Sequence, residues 1–172
     1  EGIQLPDDQD DEILALARAN RNTVVIVQCG AVVDMSAWAG EVAAILYAWF
    51  GGQSLGRALG DILNGTTNPS AKLPCTIGCR IADYPCEALG VWPATPLLDE
   101  HPPEPGLGRS ERPQLNAYDA SYEEGVFLGY RWFDEKEIEP LFPFGHGLGY
   151  TTFALADLRV DQGASGLEVS CT

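Results

Sequence analysis

The sequence predicts a layered α/β domain with a mostly parallel sheet, followed by the first strands of an all-β domain. Patterns typical of helices and of strands alternate through the first 80 residues. The clearest strand pattern is a continuous β-branched run, which is typical of parallel strands covered on both faces. After residue 150 the pattern changes to two short alternating strands separated by a Gly/Ser turn.

The first predicted element is a helix within LPDDQDDEILALARANRN, residues 5–22. Acidic residues crowd its first turn, where they complement the helix dipole, and Ile13, Leu14 and Leu16 lie on one apolar side. The polar stretch that begins at Asn20 ends the helix. TVVIVQCG, residues 23–30, is then predicted to be a buried strand.

Three further elements follow with short connections. VAAILYAWF (42–50) is a second strand, although its alanines also allow a helix. SLGRALGDILNG (54–65) has leucines at helical spacing and ends at a glycine, and AKLPCTI (71–77) is a third short strand. The order helix, strand, strand, helix, strand is that of a layered α/β domain.

The next segment, residues 81–121, contains seven of the twelve prolines and shows little periodicity. We expect a long surface excursion, with His101 exposed in it. Order returns with YEEGVFLGYRWFD (122–134), in which two glutamates precede an apolar stretch that is predicted to be a strand.

The net charge of −15 argues against nucleic acid and against anionic membranes as partners, because both are bound through basic surfaces. A neutral substrate such as a sugar is compatible with this charge. No apolar run approaches the roughly 20 residues of a membrane span. The chain begins with Glu1 rather than Met, so we expect an internal segment of a longer protein.

The five cysteines are odd in number and lack zinc-site spacing, so they are interpreted as buried or incidental thiols. A Cys79–Cys86 or a Cys75–Cys86 bridge stays open for an extracellular protein. No metal or other cofactor is expected.

Several short motifs have both a chemical and a structural interpretation. GGQSLG (51–56) could cradle an anion but matches no phosphate fingerprint, so a tight strand-to-helix turn is preferred. Asn64-Gly65-Thr66 fits the N-x-[ST] pattern, although its place at a helix end argues against glycosylation. His146 lies between two glycines and is interpreted as a turn residue rather than a proton shuttle.

Glu123 and Glu124 are the carboxylate pair expected at a strand mouth. Acid–base work by two carboxyl groups requires one with a raised pKa and one that stays ionised, and sequence does not reveal those surroundings. Catalysis, a solvated surface and a substrate-binding rim are therefore all open for this pair.

Four separated segments together resemble glycoside hydrolase family 3, the β-glucosidase-like enzymes. They lie in order over roughly residues 3–160, apart from 81–121, and form a specific set. The segments are LPDDQDDEILALARANRNTVVIVQCGAVVDM, ILYAWFGGQSLGRALGDILNGTTNPSAKLPCT, YEEGVFLGYRWFD and PLFPFGHGLGYTTF.

The resemblance implies a retaining glycosidase with an N-terminal barrel that supplies an aspartate nucleophile. An α/β/α sandwich supplies the acid–base glutamate, and a fibronectin type III-like domain often follows. Residues 1–150 are then the C-terminal portion of the sandwich, and residues 151–172 are the truncated start of the fibronectin-like domain. The Ser-Asp-Trp type motif of the nucleophile has no match here.

In many family members the acid–base lies in an E-G-x-D-R type motif shortly before a Leu-Pro pair, which is Leu5-Pro6 here. Counting back places that glutamate just before the chain begins. An alternative register with a deletion makes Glu1 itself the candidate. No other residue is assigned a catalytic role.

This chain departs from the family pattern at three places. Ala71 stands where a glycine is usual, Gly149 replaces a serine, and TIGCR (76–80) differs from the common continuation. These differences put local loop geometry in question rather than the fold.

The resemblance implies a β-glucoside or oligosaccharide substrate and docking onto the barrel of the same full-length chain. We expect Tyr122, Glu123 or Glu124 to reach the rim of the active-site pocket, and the isolated segment to be inactive and marginally stable. An extracellular location of the full-length enzyme is compatible with these features. The alternatives are an inactive truncated product that only binds a partner, and a nucleotide-binding α/β module.

Overall fold

The structure is a computed structural model that describes residues 2–91, 95–96, 118–119, 121–163 and 166–172. Its elements follow in chain order: helix α1 (Gln9–Ala19), strands β1 (Val24–Val27) and β2 (Ala44–Tyr47), a 3-10 turn (Gly52–Ser54), helix α2 (Leu55–Leu63), a second 3-10 turn (Ile81–Asp83), helix α3 (Pro85–Ala88), strands β3 (Thr95–Pro96) and β4 (Tyr118–Asp119), helix α4 (Tyr130–Glu135), and strands β5 (Arg159–Gly163) and β6 (Gly166–Ser170).

The chain divides into two compact units. The first contains Glu1–Gly51 and Leu73–His146, and the second contains Gly52–Lys72 and Gly147–Thr172. No helix within the described residues has both the length and the apolar character that a membrane span requires.

The first unit is organised around a parallel pair of strands. β1 and β2 pair in register from Val24 opposite Ala44 to Val27 opposite Tyr47. The parallel pairing confirms the prediction from the β-branched run, and the Ala-rich second run is a strand rather than a helix. The predicted α/β/α layering around them stays a prediction.

The core of this unit includes the end of β1 and contains a cluster of five buried side chains: Val27, Val33, Met35, Trp38 and Ile77. Trp38 is fully buried, and its indole Nε1 donates a hydrogen bond to Asp10 Oδ1 at 2.7 Å. A buried indole N–H needs such a partner, so the acidic first turn of α1 is tied directly to the core.

The predicted strand over residues 71–77 is wrong. This segment makes only an isolated antiparallel bridge, Ile77 with Phe142, and further back the N–H of Leu73 donates to the carbonyl of His146 at 2.8 Å. Pro74 lies between these contacts and has no N–H to donate, so a continuous ladder does not form.

The predicted strand after Glu123-Glu124 is also wrong, because a turn and then α4 follow the glutamates. Gly125 and Gly129 have φ angles of 57° and 60°, in the left-handed region that strands do not use. The adjacent Trp132 and Phe133 are both buried, which a half-exposed strand would not allow.

The predicted surface excursion begins with ordered structure. Residues 81–88 form the second 3-10 turn and α3, and Asp83 and Pro85 are buried. Residues 89–91, strands β3 and β4 and Ser121 are also described, and the rest of the excursion, including His101, lies outside the described residues.

The second unit contains α2 and the β5–β6 hairpin. The two strands predicted at the C-terminal end are present and pair antiparallel from Arg159 opposite Ser170 to Gly163 opposite Gly166. Every residue of both strands is exposed. The assignment of residues 151–172 to a fibronectin-like domain stays a prediction.

A close backbone approach also shapes this unit. The Lys72 ammonium donates to the carbonyl of Gly147, and a Cβ at Gly147 would lie 2.8 Å from the carbonyl oxygen of Ala71. At Gly149, where the family pattern has serine, a Cβ would lie 2.9 Å from Asn68 Oδ1. Both contacts are closer than side chains tolerate, so both positions favour glycine.

We predict that Tyr47 makes the first unit sensitive to alkaline pH. Its hydroxyl donates to the Ala31 carbonyl at 2.6 Å and lies 3.1 Å from the Cys29 thiol. Burial, followed by the hydrogen bond with Cys29, raises the pKa of Tyr47 well above its ordinary value of 10.0. The neutral hydroxyl is thus the form that the fold stabilises.

Because the unfolded chain ionises first, the stability that Tyr47 contributes is complete below pH 10 and falls as the pH rises beyond it. Tyr47→Phe should lower the free energy of unfolding by about 0.5–1.5 kcal/mol at neutral pH. In urea unfolding followed by circular dichroism, this difference should shrink above pH 10. A difference that grows with pH would contradict the prediction.

Candidate functional site

The buried carboxylate of Asp83 holds the loop before α3 in place. Its Oδ2 accepts hydrogen bonds from the backbone N–H groups of Cys79 and Arg80, at 3.0 and 3.1 Å. Its Oδ1 accepts a third from the Arg80 Nε at 2.8 Å. This hydrogen bond and the charge of Asp83 raise the pKa of Arg80, so the guanidinium stays protonated.

The same loop is fixed to α4 by aromatic side chains. Trp132 Nε1 donates to the Asp83 carbonyl at 3.1 Å. Tyr84 accepts a hydrogen bond from the Gly78 N–H at 2.8 Å and packs edge-on against Phe133, with ring centroids 5.6 Å apart. Burial raises the pKa of Tyr84, which keeps its hydroxyl neutral. We call residues 78–84 together with Trp132 and Phe133 the Asp83 junction.

The junction is packed tightly around the glycine at its start, which disfavours a larger residue there. A Cβ on Gly78 would lie 3.1 Å from the Cβ of Asp83 and 3.2 Å from Cζ of Phe133. Both neighbours are held by the contacts just described, so neither moves freely. The close packing of Gly78 against Phe133 therefore holds α4 near the loop.

A cleft of about 540 Å³ lies beside the junction and opens to solvent. Its lining combines apolar side chains with four charged ones: Ala88, Leu89, Phe127, Trp132 and Ile138, and Glu123, Glu124, Glu135 and Lys136. The Lys136 ammonium lies 5.2 Å from the centroid of the Trp132 ring, within cation–π range. An apolar floor with a few carboxylate acceptors suits a neutral ligand that carries hydroxyl groups.

Glu124 is the unusual member of this lining. Its side chain is half-buried, and its Oε2 is shielded from solvent without a hydrogen-bond partner among the described residues. A carboxylate oxygen in that state costs free energy until a donor reaches it. One hydrogen-bond acceptor of the cleft therefore lacks a donor among the described residues.

The other two predicted rim residues lie in different surroundings. Glu123 also lines the cleft but is exposed, and its Oε1 accepts a hydrogen bond from Ser121 Oγ at 3.3 Å. Tyr122 has 76% of its surface exposed and does not line the described cleft. The structure thus brings Glu123 and Glu124 together with Trp132 and leaves Tyr122 at the solvent boundary.

His146 lies in a turn. Its N–H donates to the Pro143 carbonyl at 3.0 Å, its carbonyl accepts from Leu73, and its ring packs 5.0 Å from the ring of Phe142. These contacts fit the structural interpretation. Glu1, the alternative acid–base candidate, lies outside the described residues.

The cysteines and acidic residues do not assemble a metal centre in the described part of the chain. All five cysteines are free thiols, so neither of the two bridges considered from sequence is present. Burial, with a smaller contribution from Cys29, raises the pKa of Cys75. Among the described residues, no three His, Cys, Asp or Glu side chains lie close enough together to hold a metal ion.

The model of the glycosyl hydrolase family 3 C-terminal domain matches residues 1–130 of this chain. The chain belongs to glycosyl hydrolase family 3. A β-glucosidase of Rhizobium radiobacter is 38% identical over 99% of the chain, which corresponds to 19% of that relative. A probable β-glucosidase I of Aspergillus clavatus is 40% identical over 92% of the chain and 16% of its own length.

Solved family 3 structures have the same fold. The chain superposes on the family 3 β-glucosidase of Bifidobacterium adolescentis with a TM-score of 0.77 and 34% identity, covering 99% of this chain and 22% of that one. On β-glucosidase 3B of Thermotoga neapolitana in complex with glucose it superposes with a TM-score of 0.73 and 32% identity, covering 92% of this chain and 20% of that one. This family 3 chain therefore spans about a fifth of the relatives it matches.

Sequence reasoning missed the Asp83 junction of this family 3 chain. Asp83 lies in a proline-rich stretch that suggests an exposed loop. The spacing from Arg80 to Asp83 is nevertheless that of one half of a helix-start capping box, in which the Asp83 carboxylate accepts a hydrogen bond from the Arg80 backbone N–H. A basic residue three positions before an aspartate, ahead of Tyr84-Pro85, was the available signal.

We predict that Asp83→Ala destabilises the first unit by about 2–4 kcal/mol, because two backbone N–H groups lose their acceptor in a buried site. The matched control is Asp134→Ala, since Asp134 is exposed on α4. Urea unfolding of both variants, followed by circular dichroism, measures the difference. Equal effects of the two substitutions would show that the junction contributes nothing.

Proposed function

We propose that this chain is part of a retaining β-glucosidase that hydrolyses terminal non-reducing β-D-glucosyl residues. The observation that carries the proposal is the match of residues 1–130 to the family 3 C-terminal domain. It is supported by relatives from a bacterium and a fungus that are both named β-glucosidases, at 38% and 40% identity. A net charge of −15 is compatible with a neutral sugar substrate.

The proposed place of the chain is the later part of the α/β sandwich, residues 1–150, with residues 151–172 beginning a fibronectin-like domain. The parallel β1–β2 pair supports the first assignment, and the β5–β6 hairpin is compatible with the second. Because the chain spans about a fifth of its relatives, we propose that a barrel elsewhere in the full protein supplies the nucleophile.

Retention requires two carboxyl groups about 5–5.5 Å apart, one attacking the anomeric carbon and the other protonating the departing oxygen. The second group then activates the water that releases the sugar. We assign both roles to residues outside the described part of this chain, with Glu1 as the acid–base only in the alternative register. Glu123 and Glu124 are assigned to binding.

The proposed binding role follows from the cleft. Glu124 Oε2 is shielded and lacks a donor, and a sugar hydroxyl is a donor of the right size. Phe127 lines the same cleft, is 40% exposed and offers apolar surface to the C–H face of a sugar ring, whereas Trp132 is buried in the cleft wall. Exposed Tyr122 lies two residues from Glu124 and extends the proposed rim toward solvent.

The proposed docking surface for the barrel is the exposed apolar strip from Tyr122 to Tyr130, together with Phe144. Val126 and Leu128 are 71% and 58% exposed, and the rings of Tyr130 and Phe144 lie 5.4 Å apart. Exposed apolar groups in this number are typical of a surface that another domain covers. Scaffold, docking and rim are thus the three roles proposed for this chain.

Activity of the full reading frame is the first test. We expect purified full-length protein to release nitrophenol from an aryl β-glucoside with retained anomeric configuration, and the 172-residue chain alone to release none. The configuration is read by NMR of the first product. A full-length protein that binds glucosides without cleaving them would support the inactive binding module instead.

The second test separates binding from folding at Glu124. In the full-length enzyme, Glu124→Gln should raise KM by about 5- to 20-fold with kcat little changed, because a hydrogen bond to a charged acceptor becomes a weaker one to a neutral acceptor in both ground and transition states. The melting temperature should not fall, since Oε2 has no partner to lose.

The matched control is Glu139→Gln, because Glu139 is exposed and does not line the described cleft. Its KM should equal that of the unmodified enzyme. A lowered melting temperature with unchanged KM for Glu124→Gln would assign Glu124 to the fold rather than to the rim.

A further inference from the structure

The C-terminal end of α2 presents a side-chain arrangement that the proposed glycosidase function does not use. Asn64 is the C-cap of α2, and its Oδ1 accepts two hydrogen bonds from Thr66, from the backbone N–H at 2.9 Å and from the hydroxyl at 2.5 Å. Asn64, Gly65 and Thr66 are all exposed.

We propose that Asn64 is an acceptor for an N-linked glycan. The residues Asn64-Gly65-Thr66 satisfy the N-x-[ST] requirement, and the structure shows the hydroxyl of the third residue bonded to the amide of the first. That hydrogen bond polarises the amide carbonyl. No described residue accepts a hydrogen bond from the Asn64 Nδ2, the atom that would carry the sugar.

Space for a glycan is available at this turn. Gly65 has a φ angle of 80°, and apart from Gly65 itself and its two chain neighbours no described heavy atom lies within 4 Å of the position that a Cβ would take there. Leu63, the last residue of α2, is 52% exposed. Within the described residues the turn after α2 is therefore open to solvent, which weakens the argument against glycosylation drawn from its position at a helix end.

The transfer is an ordinary substitution at a sugar carbon. The Asn64 Nδ2 bonds to the anomeric carbon of an oligosaccharide that is linked through pyrophosphate to a lipid. The bond from that carbon to the phosphate oxygen breaks, and the lipid pyrophosphate leaves with the electron pair. The nitrogen gives one proton to a base of the transferase, so atoms and charge balance.

The chain contains its own negative control four residues later. Asn68-Pro69-Ser70 has the same spacing, but proline at the middle position excludes it as an acceptor. Asn68 is also half-buried, and its Oδ1 accepts a hydrogen bond from the Tyr150 N–H at 2.6 Å. The two asparagines thus differ in the residue that follows them and in the exposure of their side chains.

An Asn-Gly pair is also open to spontaneous deamidation, in which the glycine nitrogen attacks the asparagine side chain. Here the Gly65 N–H donates to the Ile62 carbonyl at 2.9 Å, which holds that nitrogen within the helix end. The fold therefore opposes the competing reaction and keeps the Asn64 amide intact. The experiment below distinguishes glycosylation from deamidation by isotope labelling.

The test is production of the full reading frame in a eukaryotic secretory host, with a known acceptor sequence appended at its C-terminus. Tryptic cleavage after Arg57 and Lys72 gives one peptide, 58–72, that contains both asparagines. Peptide N-glycosidase in heavy-oxygen water converts a glycosylated asparagine into labelled aspartate, whereas deamidation beforehand leaves no label. We expect label at Asn64 and none at Asn68.

Three variants define the site. Asn64→Gln and Thr66→Ala should abolish the labelled peptide, whereas Thr66→Ser should retain it because the hydroxyl donor remains. Secreted protein that is glycosylated at the appended sequence but unlabelled at Asn64 overturns the proposal. Label at Asn68 would equally overturn it, because the geometry and the proline would then not decide acceptance. The wild-type result stands even where a variant fails to fold.

Discussion

The burial of a single carboxylate, that of Asp83, constrains the geometry of the first unit. A charged group that is 4% exposed persists only when hydrogen bonds replace its lost hydration, and Asp83 recruits three donors from Cys79 and Arg80 for that purpose. Those bonds fix the loop, and the loop presents its own carbonyl to Trp132. Local electrostatics thereby determine where α4 lies.

The shape of the cleft depends on the hydrogen bonds of Asp83. Trp132 is a wall of the cleft and is also bonded to the Asp83 carbonyl, so its ring cannot turn away without breaking a buried hydrogen bond. Glu124 faces the opposite condition, because its Oε2 is shielded and unpaired. One carboxylate is fully satisfied and supports the fold, whereas the other is unsatisfied and awaits a donor. That contrast is the physical basis for assigning binding to Glu124.

Much of the fold follows from patterns that act locally. The β-branched run at residues 23–30 and the acidic first turn of α1 both predict their elements, because chain periodicity and helix electrostatics need no distant partner. The two strand predictions that failed lie where a proline or a glycine sets the backbone conformation of an apolar segment. Pro74 interrupts the expected strand, and Gly125 and Gly129 turn the chain into α4.

The candidate site was only partly accessible from sequence for a related reason. Their charge and their place before an apolar stretch distinguish Glu123 and Glu124 in the sequence. Their partner Trp132 follows the two left-handed glycines, and the loop that orients it is about 50 residues away in the chain. Whether an oxygen lacks a hydrogen-bond donor depends on its three-dimensional surroundings, so no sequence pattern predicts it.

The exposed β5–β6 hairpin affects how this chain behaves in solution. Its register places Val160, Leu167 and Val169 on one face, all exposed, and among the described residues no third strand pairs with the outer edge of either strand. Such an edge is a template for association between copies. What opposes it at neutral pH is the net charge of −15, and that repulsion vanishes near the isoelectric point of about 4.2. The hairpin at residues 159–170 is therefore a site at which copies of the chain can associate as the pH of the buffer approaches 4.2.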